Sequence, residues 1–413
     1  MYCLKQQYRN NYGIISVFCS LGYALIYLGR FDFSASISGM EAAGIFTRNE
    51  LGSVSSIFFL SYALMQIPSG ILGNMFSPIR LISIGLFGAA LSNLLLPLCT
   101  RIEMVRVLWA VNGLVQALIW PSFLRLASNL RFSEGKTVIS LPMLTSACSI
   151  GTICAYLICA IFSARMKWRV PFWIAGSLLF VAGLLWVIVF GNRFEICPIV
   201  GEEKQKDVGK TISYFRSFGA TVIVVLFIAV SIGMIKDGVS TWLPSYLKDE
   251  FKMGNESSLL LTMAVSSVQI LGAYATSFIN ENVFKNELKT TGFFFGVLLG
   301  VLLCIVCFFS ESKYGTIVCF ALASLFIGCI NMVIVSYIPI RFGSIGIVST
   351  VAGFLDAAIY VGVSVSGIIC SIVSSKVGWP GLRILWCALS LLGCLMSVAM
   401  MTKWNRWLSK IHA

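Results

Sequence analysis

Twelve long apolar windows run along the chain, and their length is the feature that most limits its fold. They cover residues 12–37, 51–73, 81–98, 105–127, 138–162, 171–190, 218–246, 258–279, 291–310, 315–338, 346–374 and 380–402. Each window suits a membrane-spanning helix, which needs about 20 apolar residues, whereas a membrane β-barrel shows short segments of alternating polarity. Charged residues make up 11% of the chain, against about 25% in soluble domains. The sequence therefore predicts an all-α integral membrane protein with twelve transmembrane helices and excludes a water-soluble enzyme.

The longest polar stretch lies between the sixth and seventh windows and indicates two halves. We predict an N-terminal six-helix bundle over residues 1–192, a cytoplasmic linker over 193–217 and a C-terminal six-helix bundle over 218–413. Arg30 in the first window and Lys236 in the seventh lie 206 residues apart, about half of the 413-residue chain. This offset favours an internal duplication, with two pseudo-symmetric bundles related by an axis along the membrane normal.

Basic residues lie mainly in the short connections between the windows. The net charge of +13 is therefore interpreted as a topology signal rather than as a surface for nucleic acid. If the N-terminus is cytoplasmic, 17 Lys and Arg residues fall on the cytoplasmic side and 11 on the other side. This bias predicts a multi-pass protein of the cell membrane with both termini in the cytoplasm. We expect a monomer embedded in the lipid bilayer, with no nucleic-acid partner.

Few residues of the chain suit enzymatic or metal chemistry. His412 is the one histidine of the sequence, so a zinc site built on imidazole or a catalytic triad has no candidate in the body of the chain. The 14 cysteines lie mostly inside apolar windows, where a thiol behaves as a small hydrophobic group. We therefore expect a protein that is not an enzyme, with no catalytic residue, no metal and no cofactor.

Once the charges in loops and at helix ends are set aside, five charged residues remain within the membrane, and their burial has to be explained. They are Arg30, Lys236, Asp32, Asp237 and Asp356. A charge at the bilayer centre costs about 2.5–3.5 kcal/mol, so these side chains must face a polar cavity or one another. Either they form ion pairs within the bundles, or the two cations bind an anion and an aspartate takes part in coupling.

Helical spacing separates the roles of these charges. Arg30 and Asp32 are two positions apart and point about 200° apart on a helix, so Asp32 is not placed to neutralise Arg30. Asp237 points about 100° away from Lys236. Two cations at similar depth in opposite halves predict a clamp for a phosphate carrying close to two negative charges, because guanidinium offers a bidentate fork and ammonium a compact charge.

Two tyrosines share a helical stripe with the first cation. Tyr23 and Tyr27 precede Arg30 by seven and three positions, which places all three on one face of the helix. Such a stripe is either core packing or the wall of a polar cavity. Because this one ends in a buried arginine, it favours the cavity wall.

Three segments around these residues share a family pattern. Residues 22–33 read GYALIYLGRFDF, residues 116–125 read QALIWPSFLR and follow a Q-x-x-x-W-P-x-x-x-R pattern, and residues 236–246 read KDGVSTWLPSY. They resemble the major facilitator superfamily, and within it the organophosphate:phosphate antiporters, the family of sugar-phosphate and glycerol-3-phosphate permeases. The resemblance extends across both halves, to residues 352–354 and 360–362.

This resemblance implies transport by alternating access, in which two bundles rock about a central site. The site would bind inorganic phosphate or a phosphorylated organic molecule. Arg30 and Lys236 would bind the phosphoryl group. The aromatic positions that match the family cavity are Tyr23, Tyr27, Tyr62 and Tyr360.

Several positions depart from the family pattern. Gln66 stands where the family has a lysine, Cys148 where it has a histidine, and Cys329 where it has a tyrosine. Lys236 replaces an arginine, and Asn74 replaces the usual aspartate of the loop after the second helix. These changes remove cationic or hydrogen-bonding groups, so they bear on the substrate more than on the fold.

Three functions are compatible with these features. The first is exchange of an organic phosphate for inorganic phosphate, with the small anion as substrate and phosphate as counter-substrate. The second is proton-coupled symport of an organic anion, in which Asp32, Asp237 or Asp356 carries a proton. The third is a membrane-embedded sensor of sugar phosphate, because the family that the sequence resembles includes one.

Overall fold

The secondary structure is helical throughout the part of the chain that the structure describes. This computed structural model describes residues 12–129, 139–163, 167–190, 220–309 and 312–412, and no β-strand occurs in these ranges. The predicted linker, 193–217, lies outside the described residues. An all-α chain is therefore confirmed for the described ranges.

Within the described residues, six helical segments lie between positions 12 and 190. They are α1 (Tyr12–Ala42), α2 (Arg48–Met75), α3 (Pro78–Leu98), α4 (Ile102–Asn129), α5 (Leu141–Ser163) and α6 (Val170–Phe190). The segment α3 ends in a short 3₁₀ turn, and α4 breaks at Leu118 between two α-helical stretches.

Six further segments lie in the described ranges from residue 220 onwards. They are α7 (Ala220–Phe251), α8 (255–284), α9 (Glu287–Phe309), α10 (Lys313–Ile345), α11 (Val348–Lys376) and α12 (Gly378–His412). The helix α10 contains a π-helical turn at Val333–Tyr337. Among the described residues, the 11 segments from α2 to α12 are long and apolar enough to cross a membrane. The helix α1 comes before them, is 31 residues long, and carries Arg30 and Asp32.

Polar residues at the helix ends begin several of these segments. Thr47 caps α2 in a reciprocal arrangement: its Oγ1 accepts from the Glu50 backbone N–H at 3.3 Å, and the Glu50 carboxylate accepts from the Thr47 N–H at 2.8 Å. Such a capping box satisfies N–H groups that have no partner within the helix. Asn286 caps α9 by accepting from the Lys289 N–H at 2.8 Å. The helix starts are therefore local consequences of the sequence.

Contacts divide the chain into two compact units. The first contains α1 to α6 together with Ile345–Gly353, which runs from the last residue of α10 into the start of α11. The second contains α7 to α10 up to Ser344 and the chain from Phe354 onwards. The boundaries predicted for the two bundles and their linker remain a prediction.

Each unit contains an equivalent close helix contact. A side chain at Gly151 of α5 would collide with the carbonyl of Ala24 in α1, and a side chain at Gly362 of α11 would collide with the carbonyl of Val230 in α7. Glycine permits this approach because it has no Cβ atom. Ala24 and Val230 are 206 residues apart, the same offset that separates the two cations. Internal packing therefore supports the pseudo-symmetric duplication.

A buried carboxylate joins three helices of the second unit. Glu287, at the start of α9, is 0% exposed. Its Oε1 accepts from Nε of Arg341 in α10 at 2.6 Å, and its Oε2 accepts from Nε1 of Trp404 in α12 at 2.9 Å. Both oxygens are thus bound, as a buried charge requires.

Candidate functional site

The first predicted cation, Arg30, is buried among aromatic rings in the first unit. Its side chain is 4% exposed. The guanidinium carbon lies 4.5 Å from the ring centroid of Tyr27, 4.4 Å from that of Tyr62 and 5.6 Å from that of Phe58. Cation–π attraction strengthens when the cation is withdrawn from water. These rings therefore help to stabilise a positive charge at this depth.

A second set of aromatic contacts continues the stripe toward the start of α1. The ring of Tyr23 lies 5.2 Å from that of Tyr27 in an edge-to-face arrangement and stacks on Trp120 of α4 at 5.2 Å. Phe123 contacts Tyr23 at 5.6 Å. The structure thus brings Tyr23, Tyr27 and Tyr62 together around Arg30 in one unit. Their role in binding stays a prediction.

Amide side chains of α3 and α4 surround the same turn of α1. Arg30 Nε donates to Gln116 Oε1 at 2.9 Å, and Gln116 Nε2 donates to Asn112 Oδ1 at 2.9 Å. Asn112 and Asn93 both donate to the backbone carbonyl of Gly29, at 3.5 and 3.0 Å. In the sequence, Gln116 stands out only as part of the Q-x-x-x-W-P-x-x-x-R motif, and neither asparagine belongs to a predicted site. Both asparagines are amides within apolar windows, and that placement is the sequence signal that could have identified them.

Asp32 lies in a different environment from Arg30, as the helical angle predicted. It is 1% exposed, and its Oδ1 accepts from the Phe33 backbone N–H at 2.7 Å. Its backbone carbonyl accepts from the Cys159 thiol of α5 at 3.5 Å. Its Oδ2 has no hydrogen-bond partner within the described residues. Asp32 is therefore a buried carboxyl group on the α5 side of α1.

The second unit contains the other cation and two aspartates. Lys236 of α7 is half-buried, and its Nζ donates to Asn331 Oδ1 of α10 at 3.5 Å. The adjacent Asp237 accepts from Thr241 Oγ1 at 3.1 Å, one helical turn further along α7. Asp356 and Tyr360 are half-buried and four positions apart on α11, so they share a face of that helix. Because Lys236 lies in the second unit and Arg30 in the first, the two-cation clamp remains a proposal.

Three of the five positions that depart from the family pattern fall into two groups. Gln66 follows Tyr62 by one helical turn, is 0% exposed, and has no hydrogen-bond partner for either amide atom within the described residues. Cys329, by contrast, donates from Sγ to the Gly272 carbonyl at 3.3 Å and thereby joins α10 to α8. Asn74 donates to Thr350 Oγ1 at 2.5 Å, inside the first unit. Cys329 and Asn74 thus have local structural partners.

Two charged residues that the sequence assigned to helix ends are buried in the structure. Arg125 of α4 is 4% exposed, and its Nη1 donates to the backbone carbonyls of Gly73 and Phe76, the latter at 3.0 Å. Glu287 is the other. Arg125 and Glu287 are thus as buried as Arg30 and Asp32, because a charge at a helix end can be covered by a neighbouring helix.

The chain matches one protein-family model and is similar in sequence to several known membrane proteins. The family model of the Major Facilitator Superfamily matches residues 19–355. The membrane sensor protein UhpC of Salmonella typhimurium is 26% identical over 181 residues, which span 44% of this chain and 40% of that protein. UhpC of Escherichia coli is 22% identical over 298 residues, 68% of each chain. The glycerol-3-phosphate transporter of Bacillus subtilis is 23% identical over 304 residues, again 68% of each chain.

A solved structure shares the fold over nearly the whole length. The transporter FucP in its outward conformation aligns with a TM-score of 0.74 at 14% identity, covering 94% of this chain and 99% of FucP. The described helices, and the FucP alignment over 94% of this chain, agree with the twelve-helix prediction. The chain therefore belongs to the major facilitator superfamily, and is a multi-pass membrane protein of that fold.

Proposed function

We propose that the protein is a secondary active transporter that exchanges an organic phosphate, of the sugar-phosphate or glycerol-phosphate class, for inorganic phosphate by alternating access. The observation that carries the proposal is the Arg30 guanidinium held between the rings of Tyr27 and Tyr62. An arginine buried at this depth is costly, so its presence favours a role in binding an anion.

The position of the second cation supports the same proposal. Arg30 follows Ala24 by six residues, and Lys236 follows Val230 by six residues. The two carbonyls make equivalent contacts with glycines in their own units. The cations thus occupy matching positions along the sequences of the two repeats. A phosphate monoester carries about two negative charges near neutral pH, so one cation from each repeat would balance it.

The relatives support the choice of ligand. The Bacillus protein is named a glycerol-3-phosphate transporter, and its match spans both halves of this chain. In the proposed site Arg30 and Lys236 bind the phosphoryl group, while Tyr23, Tyr27, Tyr62 and Tyr360 surround the organic part. Inorganic phosphate is the counter-substrate. The transporter acts as a monomer in the cell membrane, with both termini in the cytoplasm.

Counterflow in reconstituted vesicles tests this function. Vesicles containing the purified protein are loaded with inorganic phosphate and offered labelled glycerol 3-phosphate, hexose phosphates and unphosphorylated organic anions. We expect uptake of a phosphorylated compound that requires internal phosphate and persists without a proton gradient. Vesicles with Arg30→Ala protein are the control. Uptake that does not require internal phosphate but depends on an imposed proton gradient would contradict the exchange mechanism.

Each of two alternative functions is favoured by a specific observation. Proton-coupled symport of an organic anion is favoured by Asp32, whose Oδ2 is buried without a hydrogen-bond partner in the described ranges. A sensor role is favoured by the similarity to UhpC, which is named a membrane sensor protein. A sensor would bind a phosphorylated ligand, detected as a rise in thermal stability, without exchanging it for phosphate in vesicles.

A further inference from the structure

A chain of hydrogen bonds runs from Arg30 through α4 and returns to α1. Arg30 Nε donates to Gln116 Oε1 at 2.9 Å, Gln116 Nε2 donates to Asn112 Oδ1 at 2.9 Å, and Asn112 Nδ2 donates to the Gly29 carbonyl at 3.5 Å. Arg30, Gln116 and Asn112 are 4%, 1% and 0% exposed. Since Gly29 immediately precedes Arg30, this series of hydrogen bonds ends on the same turn of α1 from which it starts.

The groups at the two ends of this hydrogen-bond series, the Arg30 guanidinium and the Gly29 carbonyl, determine the orientation of both amides. A guanidinium group can only donate hydrogen bonds, and a backbone carbonyl can only accept them. The Gln116 oxygen must therefore face Arg30, and the Asn112 nitrogen must face Gly29. Turning either amide over would bring two donors or two acceptors together inside the membrane, where an unmade hydrogen bond is costly. Asn112 thus holds the Gln116 oxygen in place.

The second unit repeats the first step of this arrangement. Lys236 Nζ donates to Asn331 Oδ1 at 3.5 Å, so each cation on the first helix of its unit meets an amide oxygen on the fourth. Arg125 follows Gln116 by nine residues, and Arg341 follows Asn331 by ten. The π-helical turn Val333–Tyr337 lies between Asn331 and Arg341, and such a turn accommodates one additional residue. Gln116 in α4 and Asn331 in α10 thus lie at similar distances before an arginine on helices that each present an amide oxygen to a cation.

We infer that Gln116 and Asn331 are positioning residues that set the direction in which Arg30 and Lys236 meet the anion, with Asn112 acting through Gln116. The inference rests on the proposed function for its ligand. An arginine can grip a phosphate side-on through Nε and one Nη atom, or end-on through both Nη atoms. Because Nε donates to Gln116 Oε1, the side-on mode would have to break this hydrogen bond, so the amide favours the end-on mode.

Transport kinetics of matched variants test this positioning role. Gln116→Met keeps the volume of the side chain but removes the acceptor, and we expect it to raise KM for the phosphorylated substrate about tenfold with little change in kcat, since uniform binding is lost. Gln116→Glu should raise KM further, because a carboxylate beside Nε neutralises the charge of the guanidinium. Asn112→Leu and Asn331→Leu should act in the same direction as Gln116→Met.

Asn93→Leu is the matched control for packing. Asn93 donates to the same Gly29 carbonyl at 3.0 Å but is not connected to the guanidinium through Gln116. We expect this variant to lower thermal stability and to leave KM unchanged. Equal increases of KM in Asn93→Leu and Asn112→Leu would show that both asparagines act only through packing of α1, and would overturn the inference.

A double variant provides a second criterion. Arg30→Lys places a methylene group where arginine has Nε, so the hydrogen bond from Nε to Gln116 Oε1 is lost. Adding Gln116→Met to Arg30→Lys should then produce no further rise in KM, since the two residues act as one pair. A further tenfold rise in the double variant would mean that Gln116 affects transport by another route.

A spectroscopic measurement keeps this test separate from the proposed function. In purified protein labelled with ¹⁵N-arginine, the Arg30 Nε–H resonance is assigned by its loss in Arg30→Lys. We expect Gln116→Met and Asn112→Leu to shift it and to accelerate its hydrogen exchange, and Asn93→Leu to leave it in place. If the wild-type protein exchanges no phosphorylated compound, the proposed function fails while this resonance still reports the positioning. An unchanged resonance in Gln116→Met would overturn the inference even if transport is confirmed.

Discussion

The guanidinium carbon of Arg30 lies 4.4 Å from the ring centroid of Tyr62, and the two side chains are 4% and 2% exposed. They come from α1 and α2, so the contact joins two helices as well as a charge and a ring. A desolvated cation–π contact contributes about 2 kcal/mol. It therefore offsets a substantial part of the cost of holding the arginine at this depth.

Replacement of Arg30 should affect binding more than replacement of any other site residue. We expect Arg30→Ala to abolish binding of the phosphorylated substrate. Arg30→Lys should weaken it by about 1–3 kcal/mol, because the charge remains while the planar fork is lost. Counterflow and the thermal shift caused by inorganic phosphate measure the two effects. Normal transport by well-expressed Arg30→Ala protein would eliminate the two-cation clamp.

The ring of Tyr62 can be tested apart from its hydroxyl group. Tyr62→Phe keeps the ring over the guanidinium, so we expect a change in KM of less than about threefold if cation–π attraction dominates. Tyr62→Leu removes the ring and should weaken binding by about 1–2 kcal/mol. Equal losses in both variants would instead assign the effect to the hydroxyl group.

At Lys236, charge and shape can be separated. Lys236→Arg retains the positive charge and should be better tolerated than Lys236→Ala, which removes it from the proposed clamp. Vesicle exchange of the substrate that wild-type protein accepts is the measurement. If the alanine and arginine variants transport equally well, Lys236 has no part in binding the anion.

Single replacement of the aspartates by asparagine distinguishes exchange from proton symport. Under phosphate exchange, Asp32→Asn, Asp237→Asn and Asp356→Asn should alter affinity or stability without creating or removing dependence on a pH gradient. Under symport, one variant should lose accumulation driven by the gradient and keep substrate exchange, since an amide resembles the protonated acid. We expect the first pattern. Gradient-driven uptake that is lost in Asp356→Asn alone, with exchange intact, would favour the symporter.

Glu287 should control stability rather than transport. Glu287→Gln removes the charge opposite Arg341 and places an amide N–H where Trp404 needs an acceptor. Arg341 is 38% exposed, so water screens part of the lost ion pair, and we expect a loss of about 1–3 kcal/mol. Thermal unfolding of the purified protein measures it. Trp404→Phe removes a single hydrogen bond and should cost less; an unchanged unfolding temperature in Glu287→Gln would contradict this account.

The candidate site was only partly predictable from the sequence. Burial of Arg30 followed from its place in an apolar window, and the Tyr23, Tyr27 and Arg30 stripe followed from helical periodicity. The partner of Arg30 did not follow, because Gln116 lies 86 residues away and only the packing of α4 against its neighbours brings it close. Cys329 matched a cavity position by resemblance, yet its thiol donates to the Gly272 carbonyl, because the facing helix covers it.

The sequence by itself determined the class of fold, since backbone groups within a bilayer must be satisfied inside each segment and long apolar runs therefore form helices. It also identified Arg30, Lys236 and three aspartates, because the cost of burying a charge makes each of them conspicuous. Only the tertiary structure decided which side chains those charges meet. The Gln116 and Asn112 amides, and the burial of Arg125 and Glu287, depend on which helix faces come together. Those contacts join residues far apart in the chain, where the periodicity of a single helix carries no information about its neighbours.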